Sequence, residues 1–200
     1  MKHLLIILIS VFSSLGLAQY SDYTYSEETA NGITLDASLF YIGDTAQLSS
    51  DRTRSDTLLS GSLGYKFNNW FFGATYDSDT EKNTIKNASG GNGDYQWQRV
   101  AYGPTVGYHW GSWSFWASYF LKSTLEVQSP GSNPTTYDGF GLQISSAYMF
   151  PIFSHIQIGP EVAWRSFTYS KSEINNVSTD LVTNYSRAMI DVFFNMRFSF

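Results

Sequence analysis

The chain has 200 residues, a net charge of -5, 18% aromatic and 14% charged residues, and no cysteine. Without cysteine there is no disulfide framework, thiolate metal site, thiol nucleophile or lipoprotein anchor, and the negative balance gives no basic footprint for nucleic acid. So heavy an aromatic load with so few charges is unusual for a soluble domain, where about 25% charged is typical, yet a slightly negative mean hydropathy excludes a chain of transmembrane helices.

Residues 1–18 read as an export leader. MKH is a basic start, LLIILISVF an apolar core, and Gly16-Leu17-Ala18 a small-x-small cleavage site before Gln19. Residues 19–32 are too short for a domain and read as a periplasmic lead-in. From 33 to 200 the sequence alternates repeatedly between apolar and polar residues, the period of a strand with two different faces. Eight strands are expected, at roughly 33–43, 56–67, 70–79, 96–110, 113–125, 138–149, 155–168 and 186–200. The joints at Asn68-Asn69, Gly111-Ser112 and Phe150 to Ser154 are short, whereas 44–55, 80–95, 126–137 and 169–185 are long and polar and read as loops. Short turns at one end and long loops at the other describe an up-and-down antiparallel meander.

Parity assigns the faces. One holds Leu35, Leu39, Tyr41, Leu63, Tyr65, Trp70, Phe72, Tyr102, Tyr108, Trp113, Phe115, Phe140, Ile144 and Trp164, and no charge. The other holds Asp36, Lys66, Asp77, Arg99, His109, Lys122, Gln143, Glu161, Arg165, Asp191 and Arg197. A lipocalin-like barrel would turn the apolar face inward, but an eight-stranded interior has too little volume for so many rings. They must face lipid, with Phe67, Trp70, Trp110, Trp113, Tyr148, Phe150 and Phe200 forming an aromatic girdle at the short-turn end. The expected fold class is therefore all-β, an eight-stranded antiparallel up-and-down transmembrane β-barrel.

The last strand, DVFFNMRFSF, carries Val192, Phe194, Met196, Phe198 and Phe200 on one parity. This resembles the C-terminal assembly signal of bacterial outer-membrane proteins, which the barrel-assembly machinery reads during biogenesis. The stretch 33–200 is thus similar to small outer-membrane barrels such as OmpX, the OmpA membrane domain and the OmpW family. The resemblance implies localisation in the cell outer membrane, loops outside, both termini periplasmic, and outer-membrane lipid and lipopolysaccharide as surroundings.

Three places could carry function. The inward charges Asp36, Lys66, Arg99, Lys122, Glu161, Arg165, Asp191 and Arg197 are expected to pair as a polar network that plugs the lumen, since buried charges need partners. Inward Phe40, Ile42, Leu58, Phe120, Phe167 and Tyr169 lie near the long-loop end. They read either as an apolar mouth pocket for a hydrophobic ligand or, more plainly, as rings packing the loop bases. The polar loops are the third place, because loops on a rigid scaffold often carry binding.

Pro104 and Pro160 sit in similar Gly-Pro-x-Val stretches and read as bulges or local gaps. The Asn-x-Ser triplets at Asn87, Asn176 and Asn184 carry no message in a bacterial chain. Two families of small outer-membrane barrel act on lipid A with a histidine and a serine at the outer leaflet. Here His109 and His155 fall beside short turns, at the opposite end, so no enzyme, no metal and no cofactor is expected. The expected role is structural or surface-interacting, adhesin-like, through the loops and an extracellular partner. The alternatives are narrow transport or binding of small hydrophobic molecules, as in OmpW-like barrels, and, further off, lipid A modification.

Overall fold

The computed structural model describes residues 31–47, 51–86, 92–175 and 177–200, with backbone only at 42–47, 51–52, 85–86 and 92. The expected leader and most of the lead-in lie outside the described residues. The strands are β1 (Gly32–Gln47), β2 (Asp51–Phe67), β3 (Trp70–Lys86), β4 (Asn92–Trp110), β5 (Trp113–Gln128), β6 (Thr135–Tyr148), β7 (Phe150–Phe153), β8 (Ile156–Ile174) and β9 (Val177–Ser199). Eight long strands pair antiparallel in chain order, and β9 returns to β1 to close the ring. The four-residue β7 prolongs β6 and pairs with the start of β8.

Turn chemistry sets the closed end. Asn68 (φ 53°) and Gly111 (φ 57°) adopt the left-handed backbone that tight two-residue hairpins use, a conformation open to glycine and tolerated by asparagine. Adjacent turns are tied together by Met149 N–H to Ser112 O at 2.7 Å and His109 N–H to Asn69 O at 2.8 Å.

At the other end the expected long loops are mostly strand. β1 runs on to Gln47, β3 to Lys86, and β8 and β9 to Ile174 and Val177, while in the 126–137 joint a loop remains between Gln128 and Thr135. Beyond a membrane both faces of a ribbon meet water, so the apolar alternation stops while the backbone ladder continues. Periodicity therefore reports where lipid ends, and the strands go further.

The faces divide cleanly. Outward Leu63 is 59% exposed, Trp110 70% and Ile190 71%, whereas inward Asp77 and Arg165 are fully buried. The outward belt runs from Phe67 to Leu59 on β2 and from Trp113 to Leu121 on β5, closed at the turn end by contacts such as Trp70–Tyr108 at 5.0 Å and Tyr148–Phe150 at 4.9 Å between ring centroids. A ring of strands clothed in exposed apolar side chains is stable only in a bilayer.

One inward assignment is overturned. Lys122 faces outward, exposed, next to outward Leu121. The register of β5 slips against β6 between Phe120 and Ser123 and against β4 between Ser118 and Lys122, a bulge that adds one residue to β5 and reverses its parity. Pro104 lies at the matching slip in β4, between Tyr102 and Thr105, while staying opposite Ala74 on β3. Pro160 keeps its rung to Phe194, so neither proline opens the wall along its full height.

Glycine makes room for the floor. Gly64 and Gly73 face each other, and a Cβ on Gly64 would stand 2.7 Å from the Phe71 ring. Because Leu63 lies mid-belt, Leu63→Arg should cost about 2–4 kcal/mol in reversible urea unfolding from lipid vesicles. An unchanged unfolding midpoint would mean that this face does not meet lipid.

Candidate functional site: the polar lumen and its mouth

Strand alternation delivers one inward side chain every second residue from eight strands, so the lumen fills in tiers. The lowest tier joins β1, β5 and β9: Arg197 Nε donates to Asp36 Oδ1 at 2.7 Å, and its Nη1 donates to Ser114 Oγ at 3.0 Å. Ser114 also lies 2.9 Å from His109 Nδ1, across the Gly111-Ser112 turn, and His109 is edge-on to Trp116 at 5.9 Å. Lys66 is half-buried at this end.

Above it, Glu161 accepts from Ser38 Oγ at 2.6 Å and from Asn195 Nδ2 at 2.8 Å. Neutral donors thus hold a carboxylate for which a cation was expected. Opposite, the hydroxyls of Thr75, Thr105, Ser118 and Ser62 form a hydrogen-bonded cluster, with Ser62–Thr75 at 2.6 Å and Thr105–Ser118 at 2.8 Å.

The main tier centres on Asp77. Arg99 Nη2 reaches Asp77 Oδ1 at 3.0 Å, and Arg165 Nη1 reaches Oδ2 at 3.1 Å. Arg99 also meets Asp79 at 3.1 Å, and Arg165 meets Asp191 at 2.5 Å. Both guanidiniums lie over rings, Arg99 3.9 Å from the Phe167 centroid and Arg165 5.6 Å from that of Phe193. Planar, permanently charged guanidinium can pair laterally and stack vertically at once, which lysine cannot do. At the mouth, Glu81 bridges Arg54 (3.3 Å) and Arg187 (3.4 Å), and Arg187 lies over Trp97 at 4.7 Å.

The expected network residues therefore occupy three separate tiers. Asp36 pairs with Arg197, Asp191 with Arg165, and Arg99 and Arg165 meet through Asp77. Glu161 has neutral partners, and Lys122 is outside. Asp77, the acid that joins two arginines, was not singled out: it lies on the polar parity, but nothing local marks it as central. Ser114 was missed too, although its equal distance from the Gly111-Ser112 turn pairs it with His109.

The apolar mouth residues divide into two packed clusters. Phe120 and Phe167 stack at 5.5 Å and join Tyr169, Ala101 and Leu125, whereas Leu58 and Phe40 join Phe193 and Ala163. Ile42's side chain lies outside the described residues. Between the upper cluster and Asp79 remains a cavity of about 10 Å³, room for roughly one water. A second, of the same size, lies beside Ser38 and Glu161. His109 and Ser114 border neither. His155 is exposed in its turn. Among the described residues no three histidine, aspartate or glutamate side chains converge as a metal site.

No protein-family model and no curated protein sequence matches the chain. Similar solved structures include Neisserial surface protein A, at 15% identity and a TM-score of 0.43 over 85% of this chain and 97% of that one. The outer membrane protease OmpT from Escherichia coli is 9% identical, with a TM-score of 0.41 over 89% of this chain and 99% of its own. The translocator domain of the autotransporter NalP from Neisseria meningitidis is 9% identical, with a TM-score of 0.38 over 96% and 97%. At that level the likeness bears on no activity. The architecture rests on the closed register and lipid-facing belt of this chain, which make it an outer-membrane β-barrel protein.

Two outcomes follow from the charge geometry. Asp77→Ala leaves two buried guanidiniums short of their shared partner and should destabilise the barrel by about 3–5 kcal/mol in vesicle unfolding. Asp56 lies on β2 beyond Leu59, outside the belt. Desolvation, then the charge and hydrogen bond of Asp79 and the charge of Glu81, push its carboxyl up to about 6, against the pull of Arg54. Between its ordinary 3.8 and about 6, the folded mouth keeps a proton that the unfolded chain has released. Stability contributed by Asp56 thus falls as pH rises through that window and is flat above it. Asp56→Asn should flatten thermal melting between pH 4 and 6 and raise the melting temperature at pH 7.5 by a few degrees.

Proposed function

We propose that this protein is a non-catalytic, non-conducting surface barrel whose role is exercised by its strand extensions outside the cell. The observation that carries this reading is the Asp77-centred tier, which fills the lumen with charges already paired to one another. A path for ions needs unpaired polar groups around continuous water, and an eight-stranded barrel has little width to spare. Passage of hydrophobic molecules would need a mouth cavity, and the rings there are in contact instead.

The rigid ribbons that rise past the belt are the remaining surface. The β8–β9 hairpin carries exposed apolar side chains, with Ile174 48%, Val177 66% and Val182 fully exposed toward its tip. Apolar side chains on an aqueous hairpin suit a protein partner. Lipopolysaccharide around the belt and the barrel-assembly machinery during insertion complete the proposed partners.

The test has two arms. Purified barrel in planar bilayers should give no steady conductance, and an open channel would overturn the plugged lumen. Replacing 172–180 by a two-residue turn should preserve the heat-modifiable, folded barrel while abolishing adhesion of expressing cells to matrix-coated or bacterial surfaces. Undiminished adhesion would remove the hairpin from the function.

A further inference from the structure

The ring is closed unevenly. β1 pairs with β2 over sixteen rungs, from Gly32↔Lys66 to Gln47↔Asp51, and β9 pairs with β8 up to Val177↔Ile174. Between β1 and β9 there are six rungs, Thr34↔Ser199 to Leu39↔Phe194. Among the described residues, no rung joins Phe40–Gln47 to Val177–Phe193. The inner side of the seam is stopped at its base by Phe40 and Phe193, edge to face at 6.3 Å.

The seam opens below the outer rim of the belt. On β1 the outward apolar run ends at Tyr41 (67% exposed), and on β9 at Ile190 (71%), past Val192 (56%). On the seam side, backbone groups at Phe40–Tyr41 and Ile190–Phe193 therefore lack a strand neighbour at lipid depth, while their other sides pair with β2 and β8. Lipid chains cannot hydrogen-bond to them, and water is excluded below the rim. Another strand can satisfy them.

We propose that the occupant of this seam is a second copy of the same chain, joined as a two-fold dimer in the membrane plane. Within one barrel, β1 and β9 run antiparallel and expose their edges at the same depth. A two-fold axis along the membrane normal keeps both copies upright and sets each β1 edge against the partner's β9 edge, antiparallel and in lipid together. Symmetry supplies the matching depth and direction twice over. The outward side chains on the paired edges, Tyr41 and Val192, are apolar on both copies, as lipid requires. The six lower rungs stay within each barrel, and the ribbons above them supply the contact.

Absence of cysteine makes the test direct. Tyr41→Cys and Val192→Cys are placed on separately tagged copies, co-expressed, and treated in intact outer membranes with an oxidant or a short bismaleimide that tolerates a slipped register. A mixed, covalently linked dimer of both tags is expected. Tyr41→Cys with Tyr119→Cys, on a distant outward face, should give none, and Leu39→Cys/Phe194→Cys in one chain should link only internally. Retained heat-modifiability shows that each variant is folded. No mixed dimer overturns the proposal, whether or not a Tyr41→Cys/Val192→Cys double variant links within one chain, which would show the seam closing on itself. Equal linking through Tyr119→Cys would reduce the contact to random collision and overturn it too.

Discussion

Closing a sheet on itself where there is no water is the constraint on which the molecule depends. Each backbone amide at lipid depth needs a partner, and only a ring supplies one on both sides of every strand. Here six rungs between β1 and β9 close the ring over its lower part. Once it is closed, inside and outside are fixed for every residue. The rings that an eight-stranded lumen cannot hold are forced outward, and the charges that lipid cannot hold are forced inward.

Those inward charges then have to neutralise one another in a confined space. Arginine dominates because its fork pairs sideways while its plane stacks: Arg99 lies between two aspartates and the Phe167 ring, and Arg165 between Asp77, Asp191 and the Phe193 ring. Breaking such an arrangement is costly, because each ion left behind keeps its burial and loses its partner. The same completeness supports the proposal of a plugged lumen with its role at the rim and the outer wall.

Much of this was legible in the sequence. The eight-strand meander, its short-turn end and the lipid-facing parity follow from period-2 alternation with polar joints, because lipid imposes that alternation. Where lipid stops, the signal stops: the ribbons around Asp51–Asp56 and Val177–Tyr185 are strands with polar residues on both faces, and they look like loops. Lys122 was misplaced because a bulge inserts one residue without any local marker. The meeting of Asp77 with Arg99 and Arg165 depends on how far each strand is sheared past the next, which alternation does not encode. The seam is invisible for a related reason, since a strand edge has the same sequence whether or not it is paired.

The ion pairs and hydrogen bonds of the lumen also join parts of the chain that are synthesised far apart. Asp36 and Arg197 are separated by 161 positions, Ser38 and Asn195 by 157, and Asp77 and Arg165 by 88. An incomplete barrel lacking β9 would leave Asp36 without Arg197, Ser38 and Glu161 without Asn195, and Arg165 without Asp191. Partial insertion is therefore disfavoured, and the strands gain by entering the membrane together. The lumen acts as a proofreading step on assembly: only a chain whose first and last strands have met presents a wall that lipid can accept.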